Sequence, residues 1–119
     1  LTSRDLLALG QLYLDDGKHG EIQVLPAGWA EQSWAPRAVV DADAGIEYGY
    51  LWWKMPFPVD DGIWKANAMN GAGGNTVQVV PEHRVVVVVT TENFDVRQPH
   101  RITMRLLVEQ IYGPLGRAR

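Results

Sequence analysis

The sequence predicts an α+β fold, in which helices near both ends of the chain pack on an antiparallel sheet. Three observations favour this fold. Leu6, Leu9 and Tyr13 recur at helical spacing close to the start. Short β-rich segments separated by glycine and proline fill the middle and end in the five-valine run Val85–Val89. A second helical pattern, Pro99 to Tyr112, follows them.

Composition limits the classes of function. The chain has 119 residues, 46% of them hydrophobic, and its length suits one domain with a modest core. A net charge of −3 argues against a nucleic-acid partner, and no apolar run is long enough for a membrane partner. Cysteine is absent and the three histidines are far apart in sequence, so we expect no metal and no cofactor. The compartment stays open between cytoplasm and periplasm.

The first element is a helix from about Ser3 to Asp16. Thr2 and Asp5 have the spacing of a capping box, and an apolar run follows them. Gly17 is a plausible stop.

The next segments are predicted from their proline and aromatic content. Pro26 to Trp34 is expected to be a short helix with Pro26 in its first turn, and Arg37 to Glu47 to be a loop. Four strands should follow: Tyr48–Met55, Ile63–Ala68, Thr76–Val80 and Arg84–Thr91. Pro56 and Pro58 are expected to end the first of these strands.

The last strand and the end of the chain carry two further expectations. Because Val85–Val89 is apolar throughout, we expect this strand to be buried on both faces. Gly113 and Pro114 should end the closing helix, leaving Leu115–Arg119 as a frayed tail.

The chain offers no convincing nucleophile of its own. Its two serines, Ser3 and Ser33, lie outside any Gly-x-Ser-x-Gly motif, and neither is followed by lysine three residues later. Three pairs of neighbouring acids are interpreted as solvated loop residues: Asp15 with Asp16, Asp41 with Asp43, and Asp60 with Asp61.

The glycine-rich bend Asn70–Asn75 is the most informative motif, and it allows two interpretations. It lacks the Lys-Ser/Thr ending of a phosphate loop and precedes a strand instead of a helix. It is either a bend at a strand entry without chemistry or a segment that exposes a backbone N–H able to stabilise an oxyanion. The aromatic residues before it fit a core or, on an exposed face, a sugar-binding platform: Tyr48, Tyr50, Trp52, Trp53 and Trp64.

Several segments in order resemble the C-terminal part of the serine β-lactamase-related family, which includes class C β-lactamases, D-aminopeptidases and esterases. The first fourteen residues resemble the family's helix before the last sheet strands. Pro26–Trp34 resembles its short Pro-x-x-Trp helix, and Tyr48–Trp53 its Tyr-Gly-x-x-Trp strand. Gly71–Val89 resembles its glycine-rich strand entry and closing hairpin.

The resemblance implies a serine hydrolase that forms an acyl-enzyme. Residues 1–119 would be a single segment, the C-terminal part of a larger β-lactamase-like domain. The family's oxyanion-hole motif then falls at Met69, Asn70 and Gly71, with the Ala72 N–H as donor. The Ser-x-x-Lys and Tyr-x-Asn elements are absent here and should lie in a preceding segment. Met69 stands where β-lactamases carry lysine, which favours an ester, amide or peptide substrate over an antibiotic.

Two functions therefore remain. In the first, the segment belongs to a hydrolase, is inactive alone, and associates with the rest of the enzyme or with itself. A clean monomer in light scattering, with no dye-binding apolar surface, would contradict this. In the second, the chain is a non-catalytic α+β binding or assembly module. The reading frame before Leu1 separates them, because the hydrolase needs about 200–250 further residues.

Overall fold

The computed structural model describes residues 1–60 and 62–118, so Asp61 and Arg119 lie outside the described residues. It has the predicted α+β architecture. A six-stranded antiparallel sheet has the order β3-β4-β5-β6-β7-β8, and β1 and β2 form a separate hairpin. The strands are β1 (Lys18–His19), β2 (Ile22–Gln23), β3 (Ala38–Asp41), β4 (Ile46–Tyr48), β5 (Trp53–Val59), β6 (Gly62–Gly71), β7 (Asn75–Val80) and β8 (Val85–Val89). The helices are α1 (Ser3–Leu14), α2 (Trp29–Trp34), α3 (Pro99–Leu106) and α4 (Gly113–Arg117), with a π-helical turn, Leu107–Tyr112, between the last two.

One face of the sheet, here called the C-terminal face, is covered by α3, the π-helical turn and α4. Its buried core consists of Phe57, Val59, Trp64, Ala66, Val80, Leu107 and Tyr112. The Tyr112 hydroxyl donates a hydrogen bond of 2.6 Å to Gln78 Oε1, and both side chains are fully buried. Burial raises the pKa of Tyr112, so the hydroxyl remains a donor at ordinary pH.

The opposite face, here called the N-terminal face, is covered by α1 and α2. Thr2 and Asp5 form the predicted capping box at the start of α1. The helix crosses β7 and β8 at Gly10, where a Cβ atom would lie 2.6 Å from Val86 Cγ1. Glycine therefore sets how closely α1 approaches the sheet. At the end of α1, the ion pair between Arg84 and Asp15 (2.7 Å) connects this helix to the β7–β8 turn.

The segment predicted as a loop and the strand after it are organised differently. Residues 37–47 include β3 and most of β4, so the loop prediction was wrong. The predicted strand Tyr48–Met55 is interrupted by a bend in which Leu51 has a φ of 65°. The two short strands pair with each other across a register shift between Val39 and Asp41, and this pairing depends on contacts that periodicity does not reveal.

The prolines do not end the sheet as predicted, because Pro56 and Pro58 lie inside β5 and pair with Lys65 and Ile63 of β6. On its other side, β5 pairs with β4 only at Trp53 and Lys54. Alternate residues of a strand direct their N–H groups to the same side. Both missing N–H groups can therefore face the side of β5 that has no partner in the described chain, where proline is tolerated.

The valine strand and the chain end also differ from prediction. All five valines of β8 are half-buried instead of fully buried, because β8 is the last strand of the described sheet. The closing helix does not stop at Gly113, which keeps helical dihedrals and donates its N–H to the Val108 carbonyl. Helix continues to Arg117, where Gly116 packs against Val59 and Trp64, so this part of the tail is not frayed.

Candidate functional site

The glycine bend connects β6 to β7 by a short 3-10 turn, Ala72–Gly74. The hairpin is in regular register on both sides of the turn, with Gly71 paired to Asn75 and Asn70 to Thr76. Two successive glycines, Gly73 and Gly74, have φ values of 80° and 88°. This turn geometry is the one that favours glycine, and it is typical of backbone concavities that present N–H groups to an anion.

Three side chains from outside this turn form hydrogen bonds to its carbonyl groups. The Asn75 amide donates to the Ala72 carbonyl at 2.6 Å. The Thr91 hydroxyl donates to the Gly73 carbonyl at 2.6 Å, and the Thr103 hydroxyl of α3 donates to the Gly74 carbonyl at 2.7 Å. Thr91 also donates its N–H to Asn75 Oδ1 at 2.8 Å. With every carbonyl of the turn bonded, the three peptide planes that follow Ala72, Gly73 and Gly74 are held in one orientation.

Neither of the last two glycines has room for a side chain. A Cβ on Gly73 would lie 2.9 Å from the Phe94 ring, and one on Gly74 would lie 2.6 Å from Thr103 Oγ1. Both glycines are buried, whereas Ala72 is exposed. The turn is thus packed on its inner side and accessible at Ala72.

The predicted site residues lie together at this end of β6. Met69, Asn70 and Gly71 line a cleft of about 300 Å³. Its other walls come from α1 and the neighbouring strands: Leu6, Leu9, Asn75, Thr76, Val77 and Val89. Ala72, the residue predicted to supply the N–H, follows directly after Gly71. The cleft contains no charged side chain, so it favours an apolar group.

Asn70 has a structural role in its side chain. Its Oδ1 accepts a hydrogen bond of 2.7 Å from the buried Thr76 hydroxyl, and its Nδ2 lies 3.6 Å from Met55 Sδ. Met69 alternates to the other face, where it meets α1. The Asn70 side chain is therefore bonded within the chain, whereas Met69 lines the cleft.

The two serines are poorly placed for nucleophilic attack from within the chain. Ser33 is 1% exposed, and its hydroxyl has no hydrogen-bond partner among the described residues. Ser3 shares a hydrogen bond of 2.8 Å with Thr90. Within residues 1–60 and 62–118, no cluster of three metal-ligating side chains occurs, and no helix is long and apolar enough to cross a membrane.

The aromatic residues divide between core and surface. Trp52 and Trp64 are 3% and 4% exposed and belong to the interior. Tyr50 is 46% exposed, stacks on Trp29 with ring centroids 6.1 Å apart, and carries the Arg37 guanidinium 4.1 Å above its ring. With one face of Tyr50 covered by arginine, the surface is a poor flat platform for a sugar ring.

Comparison with known proteins identifies the fold. No family model and no curated protein matches the sequence. Among solved structures, the chain is similar to a candidate 6-aminohexanoate-dimer hydrolase from Bacillus anthracis, with a TM-score of 0.75 and 23% sequence identity. The match covers 98% of this chain and 29% of that protein. The chain thus has an α+β, β-lactamase-like fold, and it spans less than a third of the length of that protein.

Proposed function

We propose that this chain is the C-terminal portion of a serine hydrolase and supplies the oxyanion-hole strand of its active site. The observation that carries the proposal is the turn Ala72–Gly74, whose three carbonyls are each bonded to a side chain beside an open cleft. The hydrolase fold of the structural neighbour supports it.

In this proposal a serine from outside residues 1–119 attacks the carbonyl carbon of an ester or amide. Negative charge then develops on the carbonyl oxygen, and the Ala72 N–H donates a hydrogen bond to it. A donor already held in place costs no reorganisation at the moment of reaction, and such donors contribute about 3–4 kcal/mol to transition-state stabilisation. The Ala72 N–H shares its peptide plane with the Gly71 carbonyl, at the strand position paired with Asn75, and the three bonded carbonyls hold the turn that follows it.

The proposed substrate is a small ester or amide with an apolar group near the scissile bond. Met69, Leu6 and Leu9 form the apolar wall next to the turn. Without a cation in this cleft, a substrate carboxylate has no charged partner among its lining residues. An esterase, amidase or peptidase-like reaction therefore fits better than hydrolysis of a carboxylate-bearing antibiotic.

The proposed partner is the rest of the same enzyme. In the described sheet, β8 pairs only with β7, and its five half-buried valines carry neither charge nor proline. Such a strand is prone to accept another strand along its free edge. The remaining segment would join there, and in its absence a second copy of the chain would.

The test uses the longer protein that contains this segment, together with the 119-residue chain. We expect an active-site serine probe to label the longer protein at a serine outside residues 1–119, as located by mass mapping, and the short chain to show no sustained ester turnover. Labelling within residues 1–119, or turnover by the short chain, would contradict the proposal. A longer protein that shows neither labelling nor turnover would favour a binding module.

Ala72→Pro isolates the proposed donor, because proline lacks the N–H. Gly71 has φ −119° and ψ 166°, which suits the residue before proline, and Ala72 begins a 3-10 turn, where proline is tolerated. We expect kcat to fall by about 10²–10³-fold while the melting temperature is kept. Ala72→Ser, which retains the N–H, should lose far less activity. Equal losses in both variants would remove Ala72 from the mechanism.

A further inference from the structure

A second cleft lies on the N-terminal face, toward the other end of β6. It encloses about 400 Å³ between α2, the strands β5 and β6, and the β7–β8 turn. Its walls carry two lysines, two glutamates, a tryptophan and an asparagine: Lys54, Lys65, Glu31, Glu82, Trp34 and Asn67. The proposed hydrolase site uses none of these residues.

Asn67 is the polar group at the base of this cleft. The residue is only 5% exposed, and no hydrogen bond joins its side-chain amide to the described residues, so the polar atoms of the amide remain reachable from the cleft. An amide that lines a cleft, is reachable from it and has no protein partner is positioned to bond to a ligand.

Two ammonium groups flank this amide. Lys54 is the direct cross-strand partner of Asn67, and Lys65 precedes it by two residues on the same face of β6. Neither lysine forms an ion pair within the described chain. Two like charges on neighbouring strands repel each other, and a bound carboxylate would relieve this repulsion.

The opposite walls carry the complementary charge. Glu31 of α2 and Glu82 of the β7–β8 turn line the cleft, and neither is paired with a cation among the described residues. Trp34, beside Glu31, has a buried indole N–H that lacks an acceptor there as well. The cleft thus combines two cations, two anions and two unpartnered amide or indole groups.

We propose that this cleft binds a small zwitterion, a free amino acid or a dipeptide. The carboxylate would lie between Lys54 and Lys65 and bond to the Asn67 amide, while Glu31 and Glu82 would hold the ammonium group. A volume of about 400 Å³ lies within the usual range for small-molecule sites. This proposal does not depend on the hydrolase function.

Titration of the ¹⁵N-labelled 119-residue chain with L-alanyl-L-alanine tests the site directly. The indole N–H signal of Trp34, assigned with the Trp34→Phe variant, reports occupancy. We expect a saturable shift of this signal, and binding that is about tenfold weaker for the N-acetylated dipeptide and for its C-terminal amide, because each loses one charge. No saturable shift, or equal binding of all three compounds, would overturn the proposal.

A pair of lysine variants provides the control. Lys65 is exposed, so Lys65→Gln should leave the fold intact and weaken binding about tenfold. Lys18→Gln changes an exposed lysine of β1, outside the cleft, and should leave the affinity unchanged. Equal affinity of the Lys65→Gln variant and the parent would exclude the proposed carboxylate position, and with it the proposal.

Discussion

The two faces of the sheet differ in how completely they are closed. The C-terminal face holds the seven-residue buried core, and its central polar groups, Tyr112 and Gln78, are bonded to each other. The N-terminal face is covered by α1 and α2, and the two clefts described above open on it. Residues 65, 67 and 69 alternate with the core positions of β6, so one strand serves both faces.

This difference would place the stabilising core on one face of the sheet and both proposed sites on the other. On the C-terminal face, substitutions should act on the free energy of unfolding. On the N-terminal face, the same kind of substitution should cost less stability and should affect ligand or substrate. The three predictions that follow test this contrast.

The largest effect is expected on the C-terminal face. Tyr112→Ala removes a fully buried ring packed against Phe57 and Trp64, and should lower the free energy of unfolding by about 4 kcal/mol. Tyr112→Phe keeps the ring but leaves Gln78 Oε1 buried without its donor, and should cost about 1–2 kcal/mol. Chemical denaturation measures both values.

A surface valine provides the control for that pair. Val39 is 65% exposed on β3, so Val39→Ala should change stability by less than about 0.5 kcal/mol. If Tyr112→Ala cost no more than Val39→Ala, the C-terminal face would not be the stabilising side of the sheet.

An intermediate effect is expected where α1 meets the sheet. Gly10→Val would place a Cβ 2.6 Å from Val86 Cγ1 and 3.3 Å from Val77 Cγ1, and α1 must move to accommodate it. We expect a loss of about 2 kcal/mol, measured by denaturation. Leu7→Val puts the same branched residue at an exposed position of α1 and should cost about 0.5 kcal/mol. Equal losses would mean that α1 is not held at Gly10.

The smallest effect concerns the ion pair on the N-terminal face. The Gln11 amide and the Arg84 guanidinium lower the pKa of Asp15 below its ordinary value of 3.8. A lowered pKa in the folded state adds stability above the unfolded pKa, and this stability is lost as the pH falls through the folded value. Arg84→Gln should therefore cost about 0.5 kcal/mol near neutral pH, since solvent reaches both partners and screens the pair.

The pH dependence identifies the cause of that loss. The difference between Arg84→Gln and the parent should shrink as the pH falls below about 4, where Asp15 becomes protonated in both proteins. Urea denaturation at a series of pH values measures it. A difference that stays constant in acid would assign the effect to packing of the arginine stem instead of charge.

Local sequence signals predicted most of the fold. The capping box at Thr2, the glycine bend and the valine strand are local patterns, and each produced an element close to its expected bounds. Pro56 and Pro58 were misinterpreted because their tolerance depends on which side of β5 lacks a partner. That is a property of the assembled sheet and leaves no trace in periodicity.

Only the consecutive residues of the candidate site could be predicted from the sequence. Met69, Asn70, Gly71 and Ala72 are consecutive, so the motif located them together. The residues that hold the turn, Thr91 and Thr103, are 18 and 29 residues away from the glycines they contact. A single threonine in a β-rich chain does not indicate such a bond. The sequence likewise does not distinguish Asn67 from the other residues of its strand.

The two ends of the sheet differ in how well they are suited to accept another strand. At one side, β3 is short and irregular, and β5 carries prolines where it extends past β4. At the other side, β8 retains a full set of backbone donors and acceptors. The β8 edge is therefore the better suited of the two, and two copies that pair through β8 use up that edge in both. Edge pairing would therefore end at two copies, or at one added strand.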